Sequence, residues 1–384
     1  MQILWNELKK ILTLKMVLLL AVVNSILFFL LIEFYIEYFP NGRPGLDNYT
    51  ISLEMLDKYG MDIDEKEFVD FKETYATEVK KVDGYLETRS KYADNGLASY
   101  QDFKDAEYTH DESKELSTLR WDLLDNEEIG DTLWELQSRE YIIEWIEYEE
   151  ASLDGWSHAT YSTGQQARID ELKEARKFPI FPAVALTNYK DFIFNVAIAI
   201  VISIVIVISP IFIKDRLGQM LDMQYTTKKG RNLFKMKVAA GFLSTFFVIT
   251  TLLAIYFSIY TLNKTSMFFE LPLHKFIDSP NWYDPTFLQY IFLTVIAIYI
   301  LGFVSAFFAM SFSSIVPNYI SLIGVQVPYM FLIISLGINY LVSWIISIYL
   351  AKWLVPTSYG VLIVVSIVWI VLMWRREKKR DIVS

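Results

Sequence analysis

The sequence predicts an all-α membrane protein: six transmembrane helices plus an inserted, mainly helical extracytoplasmic domain. Three observations carry this. From Pro285 to Ala351 the chain runs 67 residues without one Asp, Glu, Lys or Arg, whereas one membrane-crossing helix needs only about 20 apolar residues. Further apolar windows lie at Met16–Ile32, Phe192–Ile213, Val238–Asn263 and Trp353–Trp374. Residues 39–190, by contrast, carry 34 acidic and 17 basic side chains on helix-period apolar stripes. A chain with 53% apolar residues and a mean hydropathy of +0.30 suits such a division between membrane and water.

Residues 1–15 place Ile3, Leu4, Leu8, Ile11 and Leu12 on one helical face, with Glu7, Lys9 and Lys10 off it. Two readings fit: an amphipathic interfacial helix, or the flank of the first crossing. The first crossing is expected at 16–38; it lacks a small-residue cleavage site and is read as retained rather than as a signal peptide. Pro40-Asn-Gly-Arg-Pro-Gly45 then breaks the chain.

The extracytoplasmic domain is expected over 39–190. Phe68, Phe71, Tyr75, Val79, Val82 and Leu86 form one stripe at spacings of three and four. Ile129, Leu133, Leu136, Ile143, Ile146 and Leu153 form a second. The two predict an antiparallel helical pair, extended by shorter helices near Ser52–Tyr59 and Thr163–Lys177. Trp121, Trp134, Trp145 and Trp156 are read as packing residues of this helical core. Phe178-Pro-Ile-Phe-Pro182 ends the domain.

The remaining crossings are expected at 192–213, 238–262, 287–310, 319–337 and 357–374. Residues 339–353 are apolar but short, and a full crossing there would turn the basic tail outward. They are read as an outer re-entrant helix with Lys352 snorkelling. Basic clusters at Lys9/Lys10/Lys15, Lys214–Lys237 and Arg375–Arg380 predict cytoplasmic termini and a cytoplasmic loop at 214–237, with 375–384 as a cytoplasmic tail. Residues 39–190 then lie outside the cytoplasmic membrane of a bacterial cell.

No catalytic constellation stands out in the sequence. His110, His158 and His274 have no second His or Cys at ligand spacing, and there is no cysteine. No G-x-x-x-x-G-K-[ST] phosphate loop occurs. The expectation is a chain without catalytic, cofactor-binding or metal-binding residues of its own. The buried polar residues of the crossings are amides and hydroxyls, Asn24, Asn195 and Gln326 among them, which suit interhelical hydrogen bonds rather than ion coupling.

The segment Lys214-Asp-Arg-Leu-Gly-Gln-Met-Leu-Asp-Met-Gln-Tyr-Thr-Thr-Lys-Lys-Gly-Arg231, followed by Lys235 and Lys237, resembles the first cytoplasmic loop of ABC type-2 exporter permeases. That loop commonly reads as an acidic residue, a glycine, Leu-Leu, Ser/Thr-x-x-x-Gly/Ser-Arg and then Lys. Asp215, Gly218, Arg231 and Lys237 stand at the corresponding positions. The family's amphipathic N-terminal helix, six crossings and short outer helices between crossings five and six agree with the pattern over residues 1–38 and 190–384. The insertion at 39–190 departs from it, although some permeases similar to multidrug, sodium or bacteriocin-immunity exporters carry a large outer domain there. The resemblance implies a coupling loop that docks on a separate ABC ATPase subunit through Asp215, Leu217, Gly218, Met220, Leu221, Met223 and Arg231. ATP and Mg would be held by that partner. It further implies a second permease subunit, identical or related, a membrane-lipid environment and no nucleic-acid partner, with an amphipathic, lipid-like or peptide cargo. The alternative reading of the loop is a basic turn touching lipid headgroups, and the coupling reading is preferred to it. Two rival functions stand beside export: transmission of ATP-driven motion to an extracytoplasmic partner, and a surface receptor or scaffold using the acidic domain.

Overall fold

The computed structural model describes residues 2–108, 114–148, 153, 161–218 and 233–379. It is all-α, with six helices long and apolar enough to span a membrane. The chain divides into two compact units. One comprises residues 1–38, 187–266 and 281–384; the other comprises 39–186 and 267–280.

In the first unit, α1 (Gln2–Ile11) is a separate helix that packs on the start of α10 (Leu233–Tyr260). Its buried residues are Glu7, Leu8 and Ile11, while Ile3 is exposed. The inward face is thus largely the one read from sequence, with Leu8 and Ile11 buried and Leu4 and Leu12 half-buried; Glu7 joins it and Ile3 lies outside it. Thr13 then caps the next helix, its side chain accepting a hydrogen bond from the Met16 amide. The first of the six helices long and apolar enough to cross, α2, is Leu14–Ile32, closing in one wide turn at Phe28–Ile32.

Three of the other candidate spans are α9 (Val184–Leu217), α10 (Leu233–Asn263 with its closing turn) and α11 (Phe287–Ile315). The last two are α12 (Tyr319–Ser343) and α13 (Leu354–Lys379). Burial ranks them: 78% of the apolar window of α9 is inside the protein, against 11% for α2 and α13. The most apolar helix is thus the central one, as expected when no face must meet water. Small residues let α9, α10 and α11 approach closely. A Cβ added at Gly302 would lie 2.6 Å from Ile249 Cδ1 and 2.9 Å from Ile204 Cδ1. Asn24 bridges three helices at mid-span: its amide donates to Ser203 Oγ at 2.9 Å and accepts from the Tyr256 hydroxyl at 2.9 Å. Gln326 is likewise hydrogen-bonded between helices, as read; Asn195 donates to the Asp191 carbonyl of its own helix at 2.8 Å and its side chain also hydrogen-bonds Tyr35.

Several expected bounds move. The helix that carries the crossing expected at 192–213 begins earlier, at Val184, because Lys190 and Asp191 mark a polar boundary but do not interrupt the backbone hydrogen bonds of a helix. The separate outer helix expected at 339–353 does not form. Residues Ile333–Ser343 instead continue α12 as a wide π-helix, and 344–353 consist of turns and an isolated bridge. A short apolar run after a glycine fits a new helix or a continued one equally well, and Gly337 here sits inside the turn, against the Ile333 side chain.

The second unit contains α3 (Gly45–Lys58), α4 (Glu65–Glu87), α5 (Tyr100–Tyr108), α6 (Lys114–Leu124), α7 (Gly130–Glu147) and α8 (Thr163–Glu174). A capping box between Asp64 and Glu67 starts α4, and another between Ser162 and Gln165 starts α8. Helices α4 and α7 run antiparallel: Lys72 pairs with Glu147 at 3.2 Å, while farther along α4 Tyr85 reaches Asn126. Val82, Leu86, Leu133 and Leu136 from the two stripes join Phe103 and Leu123 in one core. Trp134 packs against that core, but Trp121 is 53% exposed, so the tryptophans are not all packing residues; Trp156 lies outside the described residues. The unit also recruits 267–280, which lie between the crossings expected at 238–262 and 287–310. β1 (Phe181–Pro182) pairs in parallel with β2 (Phe276–Ile277), and the Ile180 amide donates to the Lys275 carbonyl at 2.9 Å.

Candidate functional site at the root of the 214–237 loop

The site begins with a kink. Pro210 has no amide hydrogen and bends α9 one residue after Ser209. The freed groups find partners on neighbouring helices. Ser313 Oγ accepts from the Phe212 and Ile213 amides at 3.2 and 3.1 Å, and Ser209 Oγ accepts from Gln326 Nε2 at 2.6 Å. The last two turns of α9, Pro210–Leu217, are therefore fastened to both α11 and α12.

Those turns carry Asp215, whose carboxylate forms an ion pair with Lys237 near the start of α10. Both side chains are buried, with Asp215 6% and Lys237 2% exposed. The Lys237 ammonium also lies 5.4 Å from the Phe212 ring, and Phe212 stacks on Phe234 at 5.0 Å. One ion pair and one ring stack thus clasp the two ends of the loop together. The neighbouring Arg216 turns the other way and donates to the carbonyls of Ser314 and Val316. These carbonyls end α11, where the helix leaves acceptors unsatisfied and its dipole favours a cation. Asn318 then caps α12 by accepting from the Ser321 amide at 2.9 Å.

Two further elements meet the start of α10. Lys10 of α1 bonds Glu7 at 2.7 Å. Burial works against its charge, but the Glu7 bond and the field of Glu7 and Asp215 outweigh it and hold the Lys10 pKa above its usual value. At the other side Lys235 lies 4.3 Å from the Trp374 ring, linking the end of α13.

Of the site residues expected from sequence, Asp215 is buried in the clasp, Leu217 is 52% exposed, and Gly218 caps the helix with its amide bonded to the Lys214 carbonyl at 3.0 Å. Met220, Leu221, Met223 and Arg231 lie outside the described residues. The structure brings Asp215 and Lys237 together; the sequence reading placed each in the loop but did not pair them. It adds Arg216, Ser313 and Ser314, which sequence reasoning missed. Arg216 had one signal, its place beside Asp215; the serines had none, since their partners lie about 100 residues away in the chain.

Chemically, the cluster consists of compensated charges and capped helix ends. A buried ion pair of this kind resists loss of either partner, because the survivor is left uncompensated at low dielectric. These contacts connect the two ends of the loop to each other through the clasp, and to α11 and α12 through Arg216, Ser313 and Gln326. No family model, curated protein or solved structure matches this chain.

Proposed function

We propose that the chain is the transmembrane permease subunit of an ATP-driven ABC exporter, with residues 214–237 as the contact for a separate ATPase. The observation that carries this reading is the Asp215–Lys237 clasp together with the Arg216 hook on the α11–α12 turn. A loop that merely touched headgroups would not require a buried ion pair at its root, since exposed charges satisfy themselves in water at little cost. In this reading ATP and Mg belong to the partner, a second permease subunit completes the path, and an amphipathic, lipid-like or peptide cargo moves along apolar helix faces in a bacterial cytoplasmic membrane. Exposed Leu217, followed by Met220, Leu221 and Met223, offers the apolar ATPase contact.

The purified chain alone should not hydrolyse ATP, and activity should appear only with its co-purified ATPase. Replacing Leu217, Met220 and Leu221 together by Asp places charge in an apolar contact. Membrane insertion should survive while co-purification and ATP hydrolysis by the complex are lost. A triple variant that still assembles and turns over normally would sink the assignment of this loop.

One observation favours a second reading, transmission of motion to an extracytoplasmic partner. The second unit is built from two segments, 39–186 and 267–280, so it is joined through the chain to α2, α9, α10 and α11. Four of six crossings therefore feed directly into it. Cargo efflux from vesicles containing the complex separates the two readings: export requires it, transmission does not.

A further inference from the structure

At the end of the first unit remote from the 214–237 loop lies a cavity of about 630 Å³. Its walls are Leu293, Ile296, Ala297 and Ile300 of α11 and Val355 and Tyr359 of α13. Its rim carries Trp282, Tyr283, Asp284 and Lys352.

The rim is built rather than incidental. The Trp282 indole donates to the Leu350 carbonyl at 2.7 Å and its amide donates to the Ile346 carbonyl at 2.9 Å. Asn281 bridges to Ser347. Tyr290 and Tyr359 hydroxyls hold the Ser343 and Leu341 carbonyls at 3.0 and 2.5 Å, which fixes the wide turn of α12 beside the cavity. Against this frame the Lys352 ammonium lies 5.7 Å from the Trp282 ring and 5.3 Å from the Tyr283 ring. It makes no ion pair with any described residue. The cavity also meets the first turn of α13, whose dipole adds positive potential at the same rim.

The arrangement is amphipathic in one direction. An exposed cation stands between two aromatic rings of the type found at headgroup level, and an apolar slot descends two turns along α11 below it. We propose that this cavity holds one acyl chain of a membrane glycerophospholipid whose phosphate rests on Lys352. Its size is in the range of small-molecule sites, which are mostly apolar with a few placed polar groups. The proposal is independent of the ATPase contact and stands or falls without it.

The test uses the full-length protein in phosphatidylcholine vesicles doped with phosphatidylglycerol bearing a photoactivatable diazirine on its acyl chain. Adducts should concentrate on peptides 293–300 and 355–359, well above those on the lipid-exposed stretch 320–331 of α12. Lys352→Gln should lower that labelling about fivefold, the scale of one basic residue acting on an anionic lipid. Ile296→Trp should abolish it by filling the slot; Ile296 is 56% exposed, so the larger ring has room on the folded protein. Free inorganic phosphate should not compete. Labelling spread evenly over all exposed apolar helix faces, labelling that survives either substitution, or displacement by phosphate alone overturns the proposal.

Discussion

Asp215 and Lys237 illustrate how a residue pair gains meaning from burial. Removing one partner leaves the other charged in a dry site, a loss of about 3–5 kcal/mol. Lys237→Met alone should therefore lower the melting midpoint of the detergent-solubilised protein sharply. Adding Asp215→Leu should restore most of it, because two apolar residues leave no charge to compensate. A double variant no more stable than the single one would mean that the ion pair does not organise this site. In the second unit, burial is the largest influence on both Asp47 and Glu135 and raises their pKa values. Arg43 opposes the shift at Asp47; Arg139 opposes it at Glu135, where Asp47, Glu54 and Asp131 add to it. A carboxyl whose folded pKa is raised binds its proton more readily in the native state. Its contribution to stability therefore grows as pH falls from neutral towards the raised value and is lost as pH rises through it. Glu135→Gln should raise the melting midpoint of this unit at pH 7 and reduce the gain seen on acidification. A lower midpoint at pH 7 would show that the Glu135 charge is favourable where it stands.

At the scale of elements, the kink in α9 depends on a partner outside the helix. Ser313→Ala removes the only hydroxyl shown accepting from the Phe212 and Ile213 amides, which should cost about 1–3 kcal/mol for groups buried without an acceptor. Backbone hydrogen exchange at 212–213 should rise in that variant while exchange in the core of α9 near Ile200 stays slow. Equal exchange in both proteins would mean that the kink stands without Ser313. The helices themselves were legible, because apolar windows and stripes at spacings of three and four report burial directly. Phe71, Val82, Leu86, Leu133 and Leu136 were all read as core and are buried. The Pro210 brace was not legible, because its partners come from α11 and α12. Nor was the widening of α12 at 333–343, since an apolar run has the same composition whether its turns are regular or wide. Within the site, Asp215 and Lys237 could be named from local sequence. Arg216 could not be given its partner, because backbone carbonyls at 314 and 316 leave no trace in side-chain pattern.

The whole molecule is constrained by parity. Residues 39–186 and 267–280 form one unit, joined by the parallel pair at Phe181–Phe276. Between them in the chain lie two apolar helices, α9 and α10. If both cross the membrane, the two segments return to the same side, and the 214–237 loop lies on the other. If only one crosses, the unit could not form. The shared unit thus excludes a single crossing between its two segments and agrees with a hairpin of two, and the charge asymmetry is the basis on which the second unit is proposed to lie outside. Residues 39–190 carry a net −17 and the rest of the chain +7, with the basic residues concentrated beside the ends of crossings. With no native cysteine, single introduced thiols report sidedness without background. Thr118→Cys and Met267→Cys, both at exposed positions, should react with an impermeant maleimide in intact cells. Lys9→Cys, also exposed, should react only after the cells are opened. Reaction of positions 118 and 267 from opposite sides would contradict the shared unit itself. Reaction of both only in opened cells would preserve the fold but reverse its orientation, placing the 214–237 loop outside and out of reach of any cytoplasmic ATPase.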